Sequence, residues 1–321
     1  MKKWKVVVLS IIIALIVIAS HIGTSFGIGA FLCDFALSRY ETQMSQNLAE
    51  GNQASSQKFI LELEWLSEVE NKSTVNITND GLKLVAVQIL NVMPTNKWAV
   101  LVHGYRGGII DMSNYAKHFY EQGYNILIPN LRAHGESEGT YIGMGWHDRL
   151  DLISWIDMLV TREPSCEIAL LGISMGATTI MMATGEELPE NVKVAIADCG
   201  YSSVYEEFEH ILEHYVNFRK FPLMNTAEYY TKKRAGLDFS EASAVSQLKN
   251  STTPTLFVHG SADDFVPFSM LDKVYYAATG LVEGDTKEKL VIDGAEHAKA
   301  ASVMPELYWE KVFDFVNKHI A

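Results

Sequence analysis

Beyond about Thr74, short apolar runs alternate with segments whose apolar residues recur at helical spacing. The runs are Leu82–Leu90, Trp98–Val102, Tyr124–Ile128, Ile168–Leu171, Val192–Ala197, Thr255–Val258 and Lys289–Ile292. The later ones are continuous, β-branched or aliphatic, as parallel strands buried on both faces require. Helical spacing appears over Asp111–Glu121, Trp146–Thr161, Ala177–Glu186, Met270–Tyr276 and Met304–His319. Alternating strand and helix predicts an α/β fold, a mostly parallel sheet with helices on both faces. Chemistry on such a sheet is expected at the carboxyl ends of its strands.

The first 75 residues follow a different pattern. Lys2, Lys3 and Lys5 precede 28 positions, Val6 to Cys33, without Lys, Arg, Asp or Glu. Val6–Ala19 is apolar apart from Ser10, so the run is long enough for a membrane helix with its lysines on the cytoplasmic side. Residues 1–38 are therefore expected to be a membrane anchor or a signal segment. The signal reading places a cut after Ala19 or Ala30, and a buried core helix is a third reading. Gly23 and Gly27 form a GxxxG pair, read as incidental in a Gly-rich stretch. Residues 39–75 are polar, with Phe59, Leu63 and Leu66 as an apolar stripe; they predict a stalk and an amphipathic helix. The catalytic domain is expected over 76–321. It would face the cell exterior on an anchor, or be secreted after cleavage.

Composition narrows the classes. The chain has 321 residues, 48% hydrophobic and 20% charged, with a formal charge of −13, so it is neither disordered nor fibrous. The acidity argues against a nucleic-acid partner, since phosphate neutralisation needs a basic surface. Three cysteines, Cys33, Cys166 and Cys199, make no disulfide framework or CxxC site and read as small buried hydrophobes. Sequons at Asn71, Asn76 and Asn250 match by chance frequency. No H-E-x-x-H, Walker or G-x-G-x-x-G pattern occurs. Neither a metal nor a cofactor is expected, although Arg106-Gly107-Gly108 and Arg132 superficially invite a phosphate.

The chemistry concentrates at three strand ends. Gly172-Ile173-Ser174-Met175-Gly176 follows the run Ile168–Leu171 and precedes a helical segment. This is G-x-S-x-G in the strand–turn–helix setting of a nucleophile elbow: the tight turn lifts the hydroxyl above the sheet, and the glycines remove clashing side chains. A serine needs a base, and the base an orienting acid. His259-Gly260-Ser261-Ala262-Asp263-Asp264-Phe265-Val266-Pro267 follows Thr255–Val258, and Asp293-Gly294-Ala295-Glu296-His297-Ala298 follows the last strand. With these motifs, and with the chain order Ser174, Asp263, His297, the chain from about residue 80 resembles the α/β-hydrolase superfamily.

The resemblance implies an acid at Asp263 rather than at its neighbour Asp264, with Asp198 as an alternative position for the acid. It implies an oxyanion hole from the backbone N–H groups of Tyr105 and Met175, with His103 and His134 structural and His259 bracing the acid's loop. Separately, the stretch between Val192–Ala197 and Thr255–Val258 is too long for a simple crossover and predicts a small helical cap, inserted after the sixth strand. Tyr201–Ser246 fits one, holding nine aromatics in 46 positions; an ordinary helical hairpin on the sheet is the plainer alternative. Asp198-Cys199-Gly200-Tyr201-Ser202-Ser203 and the segment from Arg234 to Ser243 are similar to membrane-anchored bacterial hydrolases described as esterases or serine aminopeptidase-like. The expectation is an esterase acting on a small ester with an apolar group. A serine peptidase of short peptides is an alternative, with Glu206, Glu207 or Glu209 as amine anchor; those glutamates otherwise read as a solvated helix face. A non-catalytic binding protein on the same fold is the third possibility.

Overall fold

The computed structural model describes residues 23–39, 64–217 and 219–320. Eight strands form one sheet in the order β1-β2-β4-β3-β5-β6-β7-β8. They are β1 (Lys72–Asn79), β2 (Leu82–Ile89), β3 (Lys97–Val102), β4 (Asn125–Pro129), β5 (Glu167–Ile173), β6 (Val192–Asp198), β7 (Thr255–Gly260) and β8 (Lys287–Ile292). β1 pairs antiparallel with β2 and β2 with β4; every other pairing is parallel. The apolar runs of β3 to β7 are buried on both faces, as their continuity predicts, whereas the edge strand β8 alternates and leaves Val291 exposed. One core gathers Trp155, Ile156, Ile180 and Val274 under the helices Asp148–Arg162, Met175–Ala183 and Ser269–Ala277. The other gathers Phe119, Tyr308, Val312 and Phe315 under Ser113–Glu121 and Pro305–His319.

The segment before residue 76 departs from expectation. Lys72–Asn79 is an edge strand, so the boundary at residue 76 cuts through β1. Its apolar content is only Val75 and Ile77, two positions apart and facing one core. The turn Asn79-Asp80-Gly81-Leu82 carries the hairpin signal, with φ of 50° at Asp80 and 73° at Gly81. Only residues 64–68 are helical in the part of the expected stalk that is described.

Residues 23–37 form a helix that packs on the protein. Gly29, Cys33 and Leu37, four apart, make its buried stripe. Asp34 pairs with Arg234 at 2.5 Å. A Cβ on Gly23 or Gly27 would meet no described atom within 4 Å, whereas one on Gly29 would run into Thr226. This portion of the expected anchor is thus part of the folded body. No helix among the described residues is long and apolar enough to cross a membrane; the run Val6–Ala19 lies outside them.

Between β6 and β7 the expected cap is present as the helices Val204–His214 and Lys220–Ala235, followed by the short Ala244–Leu248. The N-terminal helix lies against it, so two distant parts of the chain roof the carboxyl edge of the sheet.

Candidate active site

β5 ends at Ile173, and the next residue turns sharply. Ser174 has φ 56° and ψ −119°, a conformation that costs a non-glycine residue energy and that collects at functional sites. The flanking glycines make the turn possible. A Cβ on Gly172 would stand 2.4 Å from the Gly176 backbone, and one on Gly176 would stand 2.1 Å from the Val102 carbonyl oxygen. The Ser174 N–H donates to the Asp198 carbonyl at 2.8 Å.

The structure brings Ser174, His297 and Asp263 together. His297 Nε2 lies 2.9 Å from Ser174 Oγ, and His297 Nδ1 lies 2.8 Å from Asp263 Oδ2. The second carboxylate oxygen of Asp263 accepts from the N–H groups of Phe265 at 3.1 Å and Val266 at 3.0 Å. His259 Nε2 reaches Asp263 Oδ2 at 3.3 Å and the Val266 carbonyl at 3.0 Å, so it braces this loop as expected. Burial would raise the Asp263 carboxyl, but the hydrogen bonds from His259 and His297 outweigh it and hold it down at about 2. Both rival acids stand aside. Asp264 is exposed. Asp198 is buried and accepts from the Tyr308 hydroxyl at 2.9 Å, and burial pushes it up to about 6.

The expected oxyanion donors flank the serine. Met175 opens the helix, where the first N–H groups have no partner in the preceding turn. The turn carrying Tyr105 lies beside Ser174: a Cβ on Gly104 would stand 3.4 Å from Ser174 Cβ. His103 and His134 shape this turn. His103 Nε2 accepts from the Leu131 N–H at 3.1 Å, which leaves Nδ1 to donate to the Gly104 carbonyl at 2.8 Å. His134 Nε2 accepts from the Arg106 N–H at 3.2 Å, and Nδ1 donates to the Arg132 carbonyl at 2.9 Å. Burial keeps both neutral, lowering His134 to about 3.

The arginines that invited a phosphate are spent on structure. Arg132 holds Asp151 through two bonds, at 2.7 and 2.9 Å. Arg106 donates to the Phe35 carbonyl and lies over the Phe35 and Tyr105 rings. Among the described residues one cluster, Cys199, Asp263 and His297, has ligand atoms close enough for a metal. Its donor set suits one poorly, because burial holds the Cys199 thiol protonated and Asp263 is committed to His297. All three cysteines are buried and free.

Ser174 opens onto a cavity of about 360 Å³ beneath the roof. Its wall is largely apolar: Leu32 and Phe35 from the N-terminal helix, Phe208 and Ile211 from the first cap helix, Met224 from the second. The contribution of the N-terminal helix is not legible in the sequence, because the run up to Cys33 carries no charge and reads as lipid-facing. The three glutamates also divide. Glu206 pairs with Lys273 at 2.8 Å and Glu209 with Lys220 at 2.5 Å, on the solvated side. Glu207 instead lines the cavity at 2% exposure. Burial, and then the charge of Asp263, push its carboxyl up to about 8.

With this geometry in hand, known proteins give a consistent comparison. The model of the prolyl oligopeptidase family, peptidase S9, matches residues 110–321. The uncharacterized protein YqkD of Bacillus subtilis is 26% identical over 221 residues, 68% of this chain and 70% of its own. The uncharacterized protein YfhR of Escherichia coli is 24% identical over 199 residues, 61% of each chain. Among solved structures, an esterase of Pyrococcus furiosus superposes with a TM-score of 0.63 at 24% identity, covering 78% of this chain and 93% of that one. An acylaminoacyl peptidase of Pyrococcus horikoshii superposes with a TM-score of 0.57 at 17% identity, covering 80% of this chain and 42% of that one. At these identities the structural likenesses carry the fold, an α/β-hydrolase fold.

Proposed function

Because the chain belongs to the prolyl oligopeptidase family, a serine hydrolase is the premise, and we propose that it cleaves carboxylic esters with an apolar acyl or alcohol group. The observation that carries this reading is the hydrogen-bonded series Ser174–His297–Asp263 opening onto an apolar cavity of about 360 Å³. His297 takes the Ser174 proton as Oγ attacks the ester carbonyl. Asp263 fixes the imidazole tautomer and stabilises its cation. The N–H groups of Tyr105 and Met175 receive the oxyanion, each contributing a few kcal/mol. His297 then gives its proton to the departing alkoxide, leaving an acyl-serine. Water, deprotonated by His297, attacks that acyl group and releases the acid and the free serine.

Fluorophosphonate labelling of the wild type against Ser174→Ala tests the nucleophile; an unlabelled wild type sinks the reading. A panel of aryl esters and aminoacyl anilides then tests the substrate class. Family membership favours a second reading, a serine peptidase, and hydrolysis of the anilides but not the esters would select it.

The charge-free run Val6–Ala19 after three lysines supports a membrane attachment with the catalytic body outside. Cleavage after Ala30 would cut the helix 23–37 and remove Gly29 from its contact with the cap, which argues against that cut, whereas one after Ala19 would leave the helix whole. Alkaline extraction of membranes from expressing cells tests this; full release into the supernatant would overturn it.

A further inference from the structure

Glu207 stands where an apolar residue belongs. The helix Val204–His214 turns Phe208, Ile211 and Leu212 into the cavity, and Glu207 lies on the same face, one turn before Ile211. It is 2% exposed, and its Oε2 has no hydrogen-bond partner among the described residues. A buried polar atom without a partner destabilises the fold, and folded proteins leave few of them. A leucine at this position would complete the apolar face at no such cost. The cost is offset when a bound molecule supplies the missing partner.

The chemistry of that partner follows from the surroundings. Burial keeps the carboxyl protonated at neutral pH, so it both donates and accepts. The groups that bear on it electrostatically are Asp263, Tyr201 and Tyr215, none of them a cation. An uncharged group with both donor and acceptor, a hydroxyl or an amide, matches it. An ammonium group would have to ionise Glu207 inside an apolar cavity, and such a pair must recover the desolvation of both charges.

We propose that Glu207 is a specificity-determining residue, whose carboxyl pairs with a hydroxyl or amide borne by the apolar portion of the substrate. This rests on the ester-hydrolase reading and names its substrate class: esters whose buried chain carries one uncharged polar group. Such a site rejects the plain alkyl analogue, which leaves the carboxyl unpaired.

The test uses the full chain and nitrophenyl esters of one acyl length. The acyl chain is plain, or carries a hydroxyl walked along it position by position, or an amine at the same positions. In the wild type one hydroxyl position is expected to raise kcat/KM about tenfold over the plain ester. Glu207→Leu is expected to abolish that preference and to hydrolyse the plain ester faster, with Ser174 still labelled by the fluorophosphonate. Glu207→Gln, which keeps a donor and an acceptor, is expected to retain most of it. A merely structural glutamate would not produce a preference tied to one position of the hydroxyl. Equal rates for plain and hydroxylated esters in the wild type, or a preference that both variants keep, overturns the proposal. So does preference for the amine. Failure of every ester, with Ser174 still labelled, instead overturns the ester reading itself.

Discussion

Gly29 in the N-terminal helix lies so close to Thr226 of the cap that a Cβ on it would stand 2.5 Å from Thr226 Oγ1 and 2.7 Å from the Thr226 carbonyl carbon. The carbonyl carbon is backbone and cannot rotate away. Two segments about 200 positions apart are thus fitted together over the cavity. In an exposed helix, Gly→Ala stabilises by about 0.5–1 kcal/mol. Here Gly29→Ala is expected to do the opposite, lowering the melting temperature and shifting Leu32 and Phe35 in the cavity wall. KM for long-chain aryl esters should rise several-fold while acetyl esters change little. A variant with a higher melting temperature and an unaltered chain-length profile would refute the contact.

Asp263 gathers four donors: His297, His259 and the N–H groups of Phe265 and Val266. Its carboxyl is held at about 2, below the ordinary value of 3.8. A lowered acid stabilises the fold at pH above its unfolded value, and that contribution fades as pH falls from about 4 toward 2. Asp263→Asn is expected to lose about 10⁴-fold in kcat, because His297 is then held in the wrong tautomer. The stability gap between wild type and Asp263→Asn, read from urea midpoints, should be wide at pH 7 and narrow at pH 3. A gap that widens on acidification would contradict the assignment.

Much of this site is legible in the sequence because it is local. The elbow needs Gly172 and Gly176 within five residues, and the loops bearing Asp263 and His297 each follow an apolar strand. What escapes the sequence is set by long-range packing. The role of residues 23–37 depends on Thr226 and Arg234; apart from Asp34 the helix carries no charge, and such a helix has the same local pattern whether it meets protein or lipid. β1 is nearly as elusive, since an edge strand with one exposed face needs only Val75 and Ile77 as apolar residues. The burial of Glu207 is invisible beside Glu206, because one helical step of about 100° separates a solvated face from a cavity wall.

Three buried acids act in the direction opposite to Asp263. Burial raises Asp198 to about 6, Asp148 to about 7 and Glu207 to about 8. A raised acid contributes stability that is complete below its unfolded value near 4 and is lost as pH rises through its folded value. The melting temperature is therefore expected to climb as pH is lowered from about 8.5 to 6.5; below that the buried neutral His103 and His134 oppose the gain, because the unfolded chain takes up their protons. Glu207→Gln should flatten the alkaline part of the curve. A melting temperature that rises with pH through this range would show these carboxyls to be ionised in the fold.

Arg132 and Asp151 form the one bidentate buried ion pair among the described residues, with side chains 9% and 2% exposed. Asp151 also accepts from Asn79 at 2.7 Å, at the end of the edge strand β1. The pair thus ties the helix Asp148–Arg162 both to the edge of the sheet and to the loop whose His134 supports the oxyanion turn. Removing one partner strands a buried charge, which costs about 3–5 kcal/mol. Arg132→Met is expected to lower the unfolding free energy measured in urea by that amount, and Arg132→Lys to recover only part, since an ammonium cannot make the paired bonds. Replacing both residues, Arg132→Met with Asp151→Leu, leaves no buried charge of the pair unpaired, only the exposed Asp80 losing a contact at 3.7 Å, and should restore more stability than Arg132→Lys does. The double variant decides whether the pair matters for its energy or for its geometry. If stability returns and kcat for esters does not, the guanidinium is required to set the loop that carries His134.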